Sequence, residues 1–335
     1  MDFALDARGI NLYKGTGIGT YTDNLLKHML KTCQNHKFHI FWCGDGYNQY
    51  ESENCRIILT SRKHHCFFEQ QYFPSYINNN NISLMHIPQN GIGLYPETVC
   101  KKIVTVHDLI PYFMPETVGK GYLTKFLRDM PQIIHCADAI ITVSNASKTD
   151  ILKFIPGNDK KIHVIPLAAD PNYMPLNKDY CKNLIKNEFN LYNPFILYIG
   201  GFSPRKNVKA VLYAYKNSIS KLNKCYDLVL AGSEKEDAPN IKALAEELGI
   251  LDRVKFTGFV KEELMPVLYN GCELFVYPSL YEGFGLPPLE AMACSTAVIC
   301  SNISSIPEIS GNGAVLINPR DIEEISCNIV KILNN

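Results

Sequence analysis

The sequence lacks most of the features that would assign it to a class at once. Neither sign of charge is in excess: 33 Lys and Arg stand against 33 Asp and Glu in 335 residues. Generic, charge-driven nucleic-acid binding is therefore excluded. The twelve cysteines contain no C-x-x-C pair, and the tightest spacing is Cys294 to Cys300. Dispersed thiols in a chain of this length read as small core residues in a reducing cytosol, and no metal site is expected. Long hydrophobic runs are missing too. The longest uncharged stretch, Gln70 to Pro96, carries the Asn78–Asn81 run, several Gln and three Pro, so it does not read as a membrane span. Met1-Asp2-Phe3-Ala4-Leu5-Asp6 has no basic segment and no apolar core, so no signal peptide is expected.

What is present is ordinary globular composition, 46% hydrophobic and 20% charged, over a length that suggests two domains. Short apolar runs alternate with longer amphipathic ones. Strands are expected at 38–43, 56–59, 83–87, 102–106, 139–143 and 161–165, then at 195–199, 228–231, 254–256, 274–277 and 297–300. Helices are expected at 19–31, 67–76, 120–135 and 145–154, then at 208–222, 241–248, 261–268 and 288–293. This rhythm predicts α/β architecture with parallel sheets covered on both faces. Pro166, Pro171 and Pro175 fall in a stretch without period, which suits a linker with a hinge near residue 170. Two Rossmann-like domains, 1–168 and 169–335, follow; facing each other they would form a deep cleft. Ligands of open α/β sheets sit outside the carboxyl ends of the strands, so the informative residues should come just after strands.

Four segments meet that condition. Gly15-Thr16-Gly17-Ile18-Gly19-Thr20 precedes an amphipathic helix, where bare backbone and a helix N-terminus can receive a phosphate or sugar, or simply make a turn. His107-Asp108 follows an apolar strand, and His107 reads equally as a sugar contact or as a buried imidazole bonded to a neighbouring loop. Gly200-Gly201-Phe202-Ser203-Pro204-Arg205-Lys206-Asn207 places two cations beside a new helix, a site for a dianion such as a diphosphate. Tyr281-Glu282-Gly283-Phe284-Gly285-Leu286-Pro287-Pro288-Leu289-Glu290 sets two carboxylates around a glycine loop, with Glu290 expected within about the first helical turn. Carboxylates accept protons from vicinal diols such as a ribose, though acids at a helix N-terminus are also favoured by its dipole.

Glu282-x7-Glu290 within EGFGLPPLEAMA resembles the E-x7-E motif of retaining glycosyltransferases of family 4, which have the GT-B fold. The resemblance extends along the chain through GTGIGTYT (15–22), FFEQQYFP (67–74), VHDLIPYFMPE (106–116), ITVSNASKTDI (141–151), YIGGFSPRKN (198–207), VKFTGFV (254–260) and SSIPEI (304–309). PRKN looks most like the bacterial polysaccharide mannosyltransferase branch. The resemblance implies an N-terminal acceptor domain and a C-terminal donor domain, whose last helix could return onto the first. It implies that Arg205 and Lys206 bind the donor diphosphate, Glu290 the ribose, and Glu282 the transferred sugar. His107 would touch that sugar, Gly17 and Gly19 would line the phosphate side, and Phe259 and Val260 the nucleobase. Gly283, Phe284, Gly285 and Leu286 would offer backbone to the donor. Many members carry an Arg directly after the glycine that ends the 195–199 strand; this chain has Gly201 there, which leaves the cationic duty to Arg205 and Lys206.

The reaction so implied moves a hexosyl group from a nucleoside diphosphate sugar to an acceptor hydroxyl, with GDP-mannose favoured and UDP-sugars second. No D-x-D triplet occurs, so a metal-independent reaction without a further cofactor is expected. The other classes considered are a GT-B nucleotide-sugar epimerase, a phosphorylase-like enzyme, which would need a much longer chain, and a non-catalytic nucleotide-sugar sensor. The acceptor is expected to be a glycan or lipid-linked glycan. Arg62-Lys63-His64-His65 before Phe67-Phe68, and Lys120–Arg128 with its aromatics, fit a helix lying on an anionic membrane or an amphipathic core helix. A cytoplasmic place, at most peripheral on the inner face of the membrane, is the corresponding expectation.

Overall fold

Seven short segments of the first half are strands of one parallel sheet: β1 (Asp2–Asp6), β2 (Lys37–Cys43), β3 (Cys55–Thr60), β4 (Leu84–Ile87), β5 (Lys101–Val106), β6 (Ala139–Thr142) and β7 (Ile162–Val164). Their order is β3-β2-β1-β4-β5-β6-β7. Six more form a second parallel sheet: β8 (Phe195–Ile199), β9 (Asp227–Ala231), β10 (Val254–Gly258), β11 (Leu274–Tyr277), β12 (Val298–Ser301) and β13 (Val315–Ile317). The order there is β10-β9-β8-β11-β12-β13. The computed structural model describes residues 1–94, 97–233 and 237–335, which divide into two units, Met1–Pro166 and Leu167–Asn335.

Both sheets are Rossmann-like, with strand order reversing between β1 and β4 and again between β8 and β11. Every residue of β8, β9, β11 and β12 is buried, as expected of strands covered on both faces. Branched and aromatic side chains fill those positions, with Tyr198, Phe275 and Tyr277 each under 2% exposed.

The differences from the expected elements have local causes. β1 and β13 were not among the expected strands: β1 is bounded by Asp at both ends, and β13 has only three residues. Helices Lys178–Phe189 and Ile322–Leu333 add to those expected. The helix expected at 67–76 is interrupted: Phe68–Tyr72 is a π-helical turn before the α-helix Phe73–Asn79. Pro74 has no N–H to give the carbonyl four residues back, so the turn before it widens. The last helix buries Ile325 and Ile329 in the core of the second unit, and its Ser326 hydroxyl lies 3.1 Å from that of Ser218. Among the described residues no helix is long and apolar enough to cross a membrane.

Candidate functional site: a carboxylate held by two cations

The 200–207 and 278–286 segments leave the carboxyl ends of β8 and β11, the strands at which the second sheet reverses its order. Pro204–Lys206 is a single 3₁₀ turn, and Asn207 follows in the left-handed region at φ 56°. The Asn207 side-chain amide donates to the carbonyls of Pro278 (3.1 Å) and Pro319 (2.6 Å), and the Leu280 N–H donates to Arg205 O at 2.8 Å. The basic turn is thereby tied to the loop that carries Glu282.

Glu282 is 9% exposed. Lys206 Nζ donates to its Oε1 at 2.7 Å, and Arg205 Nη1 lies 2.9 Å from Oε2. The Tyr277 hydroxyl donates to Oε1 at 2.9 Å while accepting from Lys206 Nζ at 2.6 Å. Arg205 also donates to Tyr281 O at 2.7 Å. Burial alone would raise the Glu282 carboxyl, but Arg205 and Lys206 outweigh it and hold the group at about 2. The sequence reading gave the cations and Glu282 separate partners; the structure brings all three into one cluster and adds Tyr277, which closes strand β11.

The loop from Glu282 to Leu286 is secured from behind. Glu282 N–H donates to Ser304 Oγ at 3.1 Å, and Ser305 Oγ donates to Glu282 O at 3.0 Å and also to Phe284 O. Phe284 is buried, and Gly285 has φ 125° with Ile306 Cδ1 only 2.6 Å from where a Cβ would stand. Leu286 opens the helix Leu286–Ala293. These serines belong to SSIPEI, whose anchoring part the sequence alone did not show.

Glu290 has opposite electrostatics. It begins the second turn of that helix, slightly deeper than expected. Tyr269 donates to its Oε2 at 2.9 Å, and Tyr173 also bonds to it. Burial pushes the carboxyl up to about 7, against those two hydroxyls and with Glu262 and Asp170 adding repulsion. At the end of β10, Phe259 is 73% exposed, whereas Val260 is in the hydrophobic core. An exposed ring there is free to stack, and Val260 has only its backbone to offer.

In the first unit, His107 follows β5 and is buried. Its Nε2 lies 2.8 Å from Pro88 O, so Nε2 carries the proton and Nδ1 the lone pair. Asn90 Oδ1 accepts from the His107 N–H at 2.8 Å, and the Tyr21 ring meets the imidazole edge-on at 4.7 Å. Burial lowers its pKa to about 4. Of the two readings left open for His107, the loop-bonded imidazole is what the geometry displays, and any ligand contact falls to a neutral acceptor at Nδ1. The helix expected from residue 19 starts two residues earlier, at Gly17, and runs to Thr32, with Thr16 Oγ1 accepting from Gly19 N–H at 3.4 Å. Gly19 is glycine for packing, since a Cβ would stand 2.4 Å from Tyr13 O; Gly17 has open space around it. Among the described residues no group of three His, Cys, Asp or Glu side chains could hold a metal ion.

Two Rossmann-like sheets, the second with a cationic, carboxylate-bearing cluster at its reversal, define an α/β protein of the GT-B type. The family models agree. Residues 15–173 match "Glycosyltransferase Family 4" and residues 182–335 match "Glycosyl transferases group 1". The chain belongs to the family 4 glycosyltransferases. It is 31% identical over 247 residues to the O-antigen chain mannosyltransferase B of Escherichia coli, covering 73% of this chain and 65% of that protein. It is 35% identical over 231 residues to the serotype-specific mannosyltransferase WbdA of E. coli, covering 67% of this chain and 28% of that one. The chain thus spans just under two thirds of the first relative and little more than a quarter of the second. Among solved structures, the sucrose-phosphate synthase of Thermosynechococcus elongatus superposes with a TM-score of 0.77 at 22% identity, covering 99% of this chain and 90% of that one. At that identity the likeness concerns the fold.

Proposed function

We propose that the chain transfers a hexosyl group, with mannose favoured, from a nucleoside diphosphate sugar to a hydroxyl of a glycan or lipid-linked glycan, retaining the anomeric configuration and needing no divalent ion. The observation that carries this reading is the Arg205–Lys206–Glu282 cluster at the β8/β11 reversal. Two fixed cations suit a diphosphate, and the carboxylate beside them suits the hydroxyls of the sugar attached to it. Mannose and the glycan acceptor are favoured by the names of the curated relatives. GDP-mannose is the first donor to test and UDP-sugars the second.

In this mechanism the bond from the anomeric carbon to the diphosphate oxygen breaks through an oxocarbenium-like transition state, as in glycoside hydrolysis. The acceptor oxygen forms the new bond on the same face, and its proton passes to the departing diphosphate. Arg205 and Lys206 stabilise the charge that develops there, which is electrostatic preorganisation. Glu282 orients the transferred sugar, and Glu290 takes the ribose hydroxyls once ionised. Metal independence is supported by the lack of a D-x-D triplet together with this pair of cations. Peripheral contact with an anionic membrane on the cytoplasmic side fits Phe67, 51% exposed, next to Arg62 and Lys63.

A non-catalytic nucleotide-sugar sensor is the second reading, because it would keep Arg205, Lys206 and Glu290 and have no need of His107. Screening GDP-, UDP- and ADP-sugars for binding and for donor hydrolysis, with and without EDTA, tests both. Turnover of a bound donor that survives EDTA supports the transferase; binding without any turnover supports the sensor.

A further inference from the structure

The second sheet has another end. A cavity of about 440 Å³ is lined by Pro194, Tyr226 and Glu273, the residues just before β8, β9 and β11. These strands are parallel, so the cavity stands at their amino ends, away from Arg205, Lys206 and Glu282. Open α/β sheets take their ligands at the carboxyl ends, so the topology gives no reason for a site here. The side chains do. One wall is the helix Lys178–Phe189, packed on the helix Met265–Gly271. Gly271 is glycine for that packing, since a Cβ would stand 2.1 Å from Ile185 Cδ1.

Three lysines converge on the cavity from two segments: Lys182 and Lys186 from the helix, and Lys224 from the loop before β9. Among the described residues, Glu273 is the one carboxylate in the lining, and it lies 3.6 Å from Lys182 Nζ. Lys186 Nζ stands over the Tyr192 ring, 5.3 Å from its centroid. Neither Lys186 nor Lys224 has an ion-pair partner among the described residues. This runs against the rest of the unit. Residues 167–335 carry 16 Lys and Arg against 19 Asp and Glu, whereas the lining carries three Lys and one Glu. Lys186 in the last turn suits the helix dipole. Lys182 four residues before it is a like-charge pair, which destabilises a helix, and Lys224 joins them from outside it. Local stability therefore gives no account of the three together, and an anion between them does.

The cavity has the size of a small-molecule pocket. A lining of net charge +2 matches a phosphate monoester, which is close to a dianion at neutral pH, and ammonium groups bind phosphate as point charges. Tyr192, 68% exposed, offers a ring to the organic part. Glu273 and Asn193 offer an acceptor and an amide to hydroxyls.

We propose that this cavity is a second small-molecule site, which takes a hydroxylated phosphate monoester of hexose phosphate size. Lys182, Lys186 and Lys224 hold the phosphate, and Tyr192 meets the ring. The proposal goes beyond the transferase reading and does not rest on it, since no member of the Arg205–Lys206–Glu282 cluster lines the cavity.

The test is calorimetric titration of the full chain with glucose 6-phosphate, mannose 6-phosphate and inorganic phosphate. At least one ester should bind, and more tightly than inorganic phosphate. Lys186→Glu with Lys224→Glu should weaken that binding about tenfold or more, through two lost charge-assisted contacts. Lys242→Glu with Lys331→Glu makes the same change in net charge on helices that do not line the cavity, and should leave binding within about twofold because distant surface charges are screened. Tyr192→Ala should weaken the ester and leave inorganic phosphate unchanged. All five positions are exposed, and thermal melts verify that each variant folds. No ester binding, undiminished binding in the Lys186, Lys224 variant, an equal loss in the Lys242, Lys331 variant, or inorganic phosphate as tight as the esters overturns the proposal. GDP and UDP titrations of the same samples separate it from the donor site. Ester binding without nucleotide binding upholds the cavity and removes the donor assignment. Nucleotide affinity lost together with ester affinity in the Lys186, Lys224 variant overturns the second site.

Discussion

Lys206 Nζ sits 2.7 Å from Glu282 Oε1, and Arg205 holds the other oxygen of the same carboxylate at 2.9 Å. The cations assigned to a diphosphate and the carboxylate assigned to the sugar are thus one electrostatic unit of net charge +1. Its members cannot be altered independently, and that coupling shapes what mutations should do.

The two glutamates should fail differently. Glu282→Gln removes the negative charge from the cluster and leaves Arg205 and Lys206 to a diphosphate undiluted. The affinity for the nucleoside diphosphate should hold or tighten, while kcat falls about 100-fold or more because the transferred sugar changes most in the transition state. Glu290→Gln should chiefly raise the donor KM, by about tenfold, the effect of roughly one hydrogen bond to a charged group. Steady-state kinetics with the true donor checks both, and the opposite pattern would reverse the roles.

Replacing Arg205 and Lys206 together by Ala should cost donor affinity at least about 100-fold, from two charge-assisted contacts of about 1.5–3 kcal/mol each. It should also lower Tm. Glu282 would be left buried and unpaired, a loss of roughly 3–5 kcal/mol. Adding Glu282→Gln to the double variant should recover most of the Tm and none of the affinity. Calorimetry and thermal melts measure the two effects separately, and a triple variant no more stable than the double would contradict the pairing.

Donor binding should depend on pH through Glu290. Its carboxyl is raised to about 7, so it is mostly protonated at pH 6 and mostly ionised at pH 8. A carboxylate accepts two hydroxyl protons where the acid accepts fewer, so donor KM should fall as pH rises across that window. Glu290→Gln should flatten the profile. Tyr269→Phe, which removes a hydrogen bond that favours the anion, should shift the inflection upward.

Acid should destabilise the first unit before carboxylates titrate. His107 is lowered to about 4 by burial, and His86 to about 3 by burial and by His107. Both are neutral when folded and charge more readily when unfolded. Their contribution to stability is complete above the ordinary histidine value near 6.5 and is lost as pH falls from there toward 4 and 3. For His107 alone this is roughly 3 kcal/mol. Denaturant midpoints at pH 7 and pH 4.5 measure it; His86→Gln should reduce the difference, and an unchanged midpoint in the native chain would refute the assignment.

Much was legible in the amino-acid order because it depends on neighbours along the chain. Phe195–Ile199 and Leu274–Tyr277 are strands with the expected bounds, since unbroken apolar runs flanked by Gly and Pro leave few alternatives. The helix expected from residue 19 is there, beginning two residues earlier at Gly17, and the PRKN turn and the E-x7-E spacing pointed to the segments after β8 and β11. For the final helix, by contrast, the resemblance offered only a return onto the first domain, and it is packing that shows Ile325 and Ile329 joining the second core.

What tertiary structure alone decided are relations between residues far apart in sequence. Arg205 and Glu282 are 77 positions apart, and their pairing follows from β8 and β11 being sheet neighbours. Nothing in the order of residues singles out Tyr277 or Tyr269, yet each hydroxyl ends on a different glutamate. The two carboxylates look equivalent in the motif. Their pKa values move in opposite directions because one is buried against cations and the other against tyrosines, and burial penalises a charge unless an opposite charge compensates it. Residue order names the groups; only the fold sets the dielectric and the partners that decide what each can do.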